Sequence, residues 1–197
     1  MKKYFLLACF AVVFPLLAEP NVLVFAGSLR ADSINKKLAK NAAEAAGKLG
    51  AHVTLVDLKD YSMPIYDADL ESSQGMPKNA KRLRDLMIAS DAVLIATPEY
   101  NRSIPGVLKN TIDWVSRDGK GGGSRDAFQG KKFGIMSAAA GPSGGDKALS
   151  HLRSIIEDCG GEVVSMQLSV PRSYETGALD TEAVKKTLID ELHLVIE

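Results

Sequence analysis

From Gly27 to Asn35 the chain reads GSLRADSIN, where a short apolar run gives way to a helical pattern. The free N–H groups at the start of such a helix, and the positive end of its dipole, favour an anion. Ser28, Arg30 and Ser33 add two hydroxyls and a guanidinium at spacings that can wrap a dianionic phosphate. Capping of the helix by Asp32 or Ser33 alone would account for one residue and leave Gly27, Ser28 and Arg30 without a reason. A triphosphate-binding loop is excluded because Gly-Lys-Ser/Thr is missing. A dinucleotide fingerprint is excluded because its second and third glycines are absent. An anion site of the flavin-phosphate kind fits these residues best.

A second stretch, Thr97-Pro98-Glu99-Tyr100-Asn101-Arg102-Ser103-Ile104-Pro105-Gly106, follows another apolar run and leads into Val107 to Trp114. Its two prolines stiffen a loop that offers an aromatic ring, amides and backbone donors, the shelf that a flat heteroaromatic ring requires. A rigid turn with Tyr100 and Trp114 packed as core explains the same residues equally well. A third stretch, Ser137 to Gly145, contains Gly141-Pro142-Ser143-Gly144-Gly145, which satisfies Gly-x-Ser-x-Gly between a strand and a helix. Asp180 or Asp190 and then His193 follow in the chain order of a hydrolase triad. Against that reading, three alanines and Gly141 separate the strand from Ser143 and blunt the sharp turn a nucleophile elbow needs.

The elements that position these loops are set by a hydrophobic period that switches repeatedly from Asn21 onward. Strands are expected at Val22–Ala26, Val53–Val56, Ala92–Ala96, Phe133–Met136 and Val163–Val170. Helices are expected from about Ser33 to Leu49, from near Pro77 to Ala89, from Pro105 through Val115, from Asp146 to Asp158 and from Thr181 to Val195. Five strands alternating with five helices imply an α/β domain with a doubly wound parallel sheet covered on both faces. In such sheets ligands bind beyond the carboxyl ends of the strands, where the strand order reverses. The three loops above follow strands one, three and four. The Gly119–Arg125 segment, GKGGGSR, reads as a surface loop too rich in glycine to order itself cheaply.

Composition narrows the function. The 197 residues carry 24 Lys+Arg against 24 Asp+Glu, with no run of basic residues, which argues against nucleic acid. Cys9 and Cys159 cannot build a disulfide framework, and His52, His151 and His193 show no metal-ligand spacing. Residues 1–18 are a different material. Lys2 and Lys3 precede an uncharged Tyr4 to Leu17, too short to be a stable membrane span and patterned as a secretory signal peptide. Residues 19–197 then form one domain, exported to the periplasm if the leader is cleaved and cytoplasmic if it is a retained tail. Loss of Lys2 and Lys3 leaves 22 basic against 24 acidic residues, about −2. That small surplus argues against a non-enzymatic electron carrier, which uses a strongly acidic surface for docking.

GSLRADSIN and PEYNRSIPGVLKNTIDW together resemble the NADPH-dependent FMN reductase family, and MPIYDAD (Met63 to Asp69) is similar to its segment after strand two. Ser137 to Gly145, ending in His151-Leu152-Arg153, is a looser match to its third flavin loop. The resemblance spans about residues 21 to 175 and implies a flavodoxin-like fold, FMN as cofactor and NAD(P)H as co-substrate. Hydride would pass through flavin N5 to quinone-like, azo, flavin or metal acceptors, with no separate catalytic acid or base. By motif position it implies that Ser28, Arg30, Ser33 and Asn35 hold the phosphate. Pro98, Glu99, Tyr100 and Asn101 would line the isoalloxazine, mainly through backbone groups. Ser137 and Gly141 would close the pyrimidine side, and Tyr66 and Asp67 would stand at the mouth. A homodimer or homotetramer is also implied.

Overall fold

The computed structural model describes residues 19–196, so the expected leader lies outside the described residues. The elements run β1 (Asn21–Ala26), α1 (Ile34–Lys48), β2 (His52–Asp57), a 3-10 turn (Leu58–Tyr61), α2 (Ala68–Gln74), α3 (Lys78–Ala89), β3 (Ala92–Ala96), α4 (Gly106–Val115), β4 (Lys132–Ala138), α5 (Asp146–Asp158), β5 (Glu162–Val163), β6 (Leu168–Val170) and α6 (Glu182–Ile196). The sheet order is β2-β1-β3-β4-β5, with β6 also on β4, and every pairing is parallel. The order reverses between β1 and β3, so the loops after these strands open on the same crevice.

Strands buried on both faces explain the unbroken apolar runs. Val22, Val24, Ala26, Leu94 and Met136 face α1 and α6. Leu23, Phe25, Val93, Ile95, Phe133 and Ile135 face the opposite layer, built by α3, α4 and α5 through Leu83, Leu108 and Leu152. Helix α1 packs on the sheet with Leu38, Ala39, Ala42, Ala43 and Ala46, whose small side chains let it lie close. Among the described residues no helix is long and apolar enough to cross a membrane.

Two expectations are altered and a third is sharpened. The single strand Val163–Val170 is two short ones, because Val164 to Gln167 leave the ladder between Phe133 and Met136. The Arg153 guanidinium replaces the missing partners, donating to the Val163 and Val164 carbonyls at 3.0 and 2.8 Å and to Gln167 Oε1 at 3.3 Å. A sixth helix, α2, starts at the MPIYDAD segment, where the Asp67 carboxylate accepts from the Asp69 and Leu70 N–H groups and caps it. The glycine-rich loop is ordered from outside itself. Asp118 Oδ1 accepts from the Lys120 and Gly122 N–H groups at 2.7 and 2.9 Å, and Arg117 Nη2 donates to the Gly121 carbonyl at 2.9 Å.

Candidate active site

A cavity of about 590 Å³ opens at the carboxyl ends of the strands. That volume lies in the range of small-molecule sites, roughly 300–1,000 Å³. One wall is the β1–α1 loop and the first turn of α1, contributing Arg30, Asp32, Ser33 and Lys37. The facing wall is Pro98, Glu99 and Tyr100 after β3, and Ala138, Ala139 and Ala140 at the end of β4 lie between them. Two of the three sequence-identified loops therefore meet in one cavity as expected, and the third enters it through different residues.

Ser33 is the N-cap residue of α1, yet its side chain makes no capping hydrogen bond. Its hydroxyl is 5% exposed as a residue and borders the cavity at the helix's positive end. This is what a ligand-binding serine requires and a capping serine does not. Arg30 is exposed on the same wall and forms no ion pair among the described residues. Asp32 pairs instead with Lys37 at 2.9 Å, and that hydrogen bond holds the Asp32 carboxyl below its ordinary range. Ser28 is buried behind the loop, where its Oγ accepts from the Arg30 N–H at 3.3 Å and shapes the turn. Gly27 is required because a Cβ there would come 2.9 Å from Leu108 Cδ2 of α4. The helix that carries the second loop thus packs directly under the first.

Asn35 borders the cavity but spends its amide on protein. Its Nδ2 donates to the Ala138 carbonyl at 2.8 Å, and its Oδ1 accepts from the Ala138 N–H at 2.9 Å. It therefore ties α1 to the end of β4 and is a positioning residue.

On the opposite wall, Glu99 Oε2 accepts from the Lys147 and Ala148 N–H groups at 3.1 and 3.3 Å, so this carboxylate caps α5. Tyr100 and Ser103 exchange main-chain hydrogen bonds at 2.9 and 3.1 Å around Asn101 and Arg102. Both central residues have positive φ, 51° and 64°, and both are exposed. Asn101 does not line the cavity that Pro98 to Tyr100 border. Ser103 Oγ lies 3.0 Å from His151 Nδ1, which anchors the turn to α5.

The third loop differs from what the resemblance implies. Ser137 is fully buried, its Oγ has no hydrogen-bond partner among the described residues, and Gly145 lies so close that a Cβ there would overlap it. Gly141 is exposed and uses its carbonyl to accept from the Gly144 and Arg172 N–H groups. Neither residue borders the cavity, which the alanines 138 to 140 reach instead. Tyr66 and Asp67 also stand away from it. The Tyr66 N–H donates to Asn110 Oδ1 at 2.7 Å and its hydroxyl donates to Glu71 Oε2 at 3.1 Å. Its ring meets Trp114 edge-on at 5.0 Å. Trp114 is itself core, with Nε1 donating to the Pro64 carbonyl at 2.8 Å. Glu71 is completely buried and is held by Arg117 Nε at 3.0 Å. This cluster fastens the MPIYDAD segment to α4.

A hydrolase triad does not form. The Ser143 carbonyl accepts from Ser169 Oγ at 3.0 Å in the turn after β4. His193 belongs to the last turn of α6, whose Val195 packs beside Gly134. Gly134 and Ala138 are four strand residues apart, roughly 13 Å at about 3.3 Å per residue. His193 and Ser143 thus lie towards opposite ends of β4. Three residues that sequence reasoning missed, Ser173, Tyr174 and Glu175, complete the cavity from the segment after β6. No motif marks them, and only the pairing of β6 with β4 brings them there.

Comparison with known proteins identifies the family and the fold. The chain is 42% identical over 158 residues to a quinone reductase of Pseudomonas putida, covering 80% of this chain and 78% of that one. It is 39% identical over 137 residues to an NAD(P)H-dependent FMN reductase of Pseudomonas aeruginosa, 68% of each chain. Among solved structures, the flavoenzyme NAD(P)H:(acceptor) oxidoreductase FerB from Paracoccus denitrificans superposes with a TM-score of 0.74 at 30% identity, over 90% of this chain and 95% of that one. The fold is thus flavodoxin-like. Residues 20–175 match the NADPH-dependent FMN reductase family, and the chain belongs to it.

Proposed function

We propose that the protein binds FMN in the cavity between α1 and the β3–α4 loop and reduces quinone-like acceptors with NAD(P)H. The observation that carries this reading is Ser33. A buried serine stands at a helix N-terminus with its hydroxyl uncommitted, beside the unpaired Arg30 and opposite a flat proline-stiffened shelf. That donor set suits a dianionic phosphate at one end of a planar ring.

Bound FMN would supply the two-electron exchange between nicotinamide and acceptor. Arg30, Ser33 and the first N–H groups of α1 hold the phosphate. Pro98 and the main chain of Glu99 and Tyr100 support the ring, with Glu99 fixed by its hydrogen bonds to α5. The small Ala138, Ala139 and Ala140 leave the floor open to main-chain contacts. The names of the relatives, quinone reductase and NAD(P)H-dependent FMN reductase, support this choice of substrates.

The absorption spectrum of the FMN-loaded protein, followed during anaerobic addition of NADPH, tests the reading. Bleaching and its reversal by a quinone are expected. Initial rates at varied NADPH and quinone should give parallel double-reciprocal lines, because both substrates use the same open face. A protein that holds FMN without oxidising either reduced nicotinamide is an electron carrier, and the reading fails.

Two further assignments complete the proposal. A homodimer or homotetramer is supported by Ile65, 77% exposed in the segment beside α2, and light scattering at micromolar protein checks it. Residues 1–18 direct export, on the strength of Lys2-Lys3 and the uncharged stretch to Leu17. The secretory route threads unfolded chains, so an exported copy acquires FMN after folding outside the cytoplasm. A shortened periplasmic form after cell fractionation is expected, and a full-length cytoplasmic form reverses the assignment.

A further inference from the structure

The cavity has a wall that neither the phosphate loop nor the ring shelf supplies. It is the segment after β6, where three main-chain bonds fasten residues 170–173 to the end of β4. The Val170 carbonyl accepts from the Ala139 N–H at 3.1 Å, the Ala139 carbonyl from the Ser173 N–H at 3.1 Å, and the Gly141 carbonyl from the Arg172 N–H at 3.2 Å. A fourth bond, from the Glu175 N–H to the Arg172 carbonyl at 2.9 Å, closes the turn. Arg172 adopts a φ of 49°, a left-handed conformation disfavoured for a residue with a Cβ. The surrounding bonds hold it there. The chain reversal sends Ser173 inward, 4% exposed, and leaves Tyr174 in the cavity wall, 73% exposed.

A large aromatic ring set on a well-tied segment and left uncovered in a cofactor-sized cavity has a ligand face to offer. Its position selects which part of the ligand. Ser173 is bonded to Ala139, and the adjacent Ala138 is gripped by Asn35 from the first turn of α1. The segment that carries Tyr174 is thus linked through Ala139 and Ala138 to the first turn of α1, the helix that borders the cavity with Ser33 and Lys37, whereas Tyr100 is carried by the β3–α4 loop.

We infer that Tyr174 is a retention residue, packing its ring against the ribityl–phosphate arm of FMN and slowing its release. The inference rests on the proposal that this cavity takes FMN. An aromatic side chain suits the role, since its face covers the carbon chain and its hydroxyl reaches the polar groups the arm carries.

The test follows flavin fluorescence as FMN leaves the loaded full-length protein on dilution. Tyr174→Ala should speed release by about three- to tenfold, the size of one aromatic packing contact. Tyr174→Phe should restore most of the retention. Thermal midpoints of the two variants should match wild type, because the ring makes no core contact. Equal release rates from wild type and Tyr174→Ala overturn the inference while leaving the FMN reading intact. A wild-type protein that takes up no FMN overturns both.

Discussion

The amide of Asn35 grips both the N–H and the carbonyl of Ala138, joining residues 103 positions apart. This pair sets the distance between the phosphate end of the cavity and its floor. Both bonds are buried, so Asn35→Ala strands a donor and an acceptor of β4 as well as removing the bonds. A loss of about 1–3 kcal/mol is expected in urea denaturation. FMN affinity should fall as well, although Asn35 needs no contact with the phosphate. Asn35→Asp keeps the acceptor for the Ala138 N–H but sets a carboxylate against the carbonyl. It should be no more stable than the alanine variant at neutral pH.

Arg30 acts differently, through a charge that forms no ion pair among the described residues. Arg30→Ala should leave the denaturation midpoint unchanged and weaken FMN at least about tenfold, the loss of a charge-assisted hydrogen bond. Because Arg30 is exposed, its contribution should shrink as salt rises. Riboflavin, which lacks the phosphate, should bind wild type and variant alike. Equal FMN affinity in wild type and variant moves the phosphate elsewhere along the α1 wall.

The parts of this site that were legible in the sequence are those in which one local segment carries both the structure and the chemistry. GSLRADSIN contains a strand end, a turn and a helix start, and these fall where expected; Arg30 and Ser33 border the cavity, whereas Ser28 is buried in the turn and Asn35 spends its amide on Ala138. Pro98 to Tyr100 also border the cavity, with the Glu99 carboxylate given to the start of α5. Ser137 could not be placed this way, because its burial depends on Gly145 closing over it from the start of α5. Tyr100 and Trp114 read equally well as ligand shelf or as core; the structure leaves Tyr100 exposed in the cavity wall and settles Trp114 as core, its Nε1 bonded to the Pro64 carbonyl fifty positions away. The split of the fifth strand arises from Arg153, a helix residue whose reach to the Val163 and Val164 carbonyls leaves no trace in hydrophobic periodicity. Tyr174 enters the cavity only through the β4–β6 pairing.

Glu191 is the other group that periodicity hides. It lies on α6, fully buried over Gly134, and neither carboxylate oxygen closes a hydrogen bond of ordinary geometry. Burial pushes its pKa up to about 8, against smaller lowering effects from the facing Ile135 and Leu168 backbone and the Arg153 charge. Between the unfolded value of 4.5 and about 8, the folded protein holds a proton that the unfolded chain has lost. Stability must then fall as pH rises through that window, by up to about 1.4 kcal/mol per pH unit from this group, and level off above it. Glu191→Gln should flatten the dependence. The variant should gain most over wild type near pH 8 and little near pH 5. Parallel stability–pH curves for the two proteins would mean that Glu191 stays ionised in the folded state.

The turn at Asn101 and Arg102 pairs local strain with a place beside the reacting face. Tyr100 and Ser103 bond to each other across two residues, both at positive φ, as a tight two-residue hairpin turn demands. Asparagine tolerates the first position, but glycine suits the second, and Arg102 at φ 64° bears the cost of its Cβ. Arg102→Gly should therefore stabilise the protein, by about 0.5–1 kcal/mol once glycine's extra freedom in the unfolded chain is discounted. Arg102 is exposed in the turn that follows Tyr100, and its positive charge can meet the phosphates of NAD(P)H. The glycine variant should accordingly show a higher KM for NADPH, a near-constant kcat and unchanged FMN affinity. The KM difference should narrow as salt screens the charge. A more stable variant with an unaltered KM would leave Arg102 without a role in donor binding. An unchanged stability would mean that Ser103 and His151, not the turn's own backbone preference, decide the conformation.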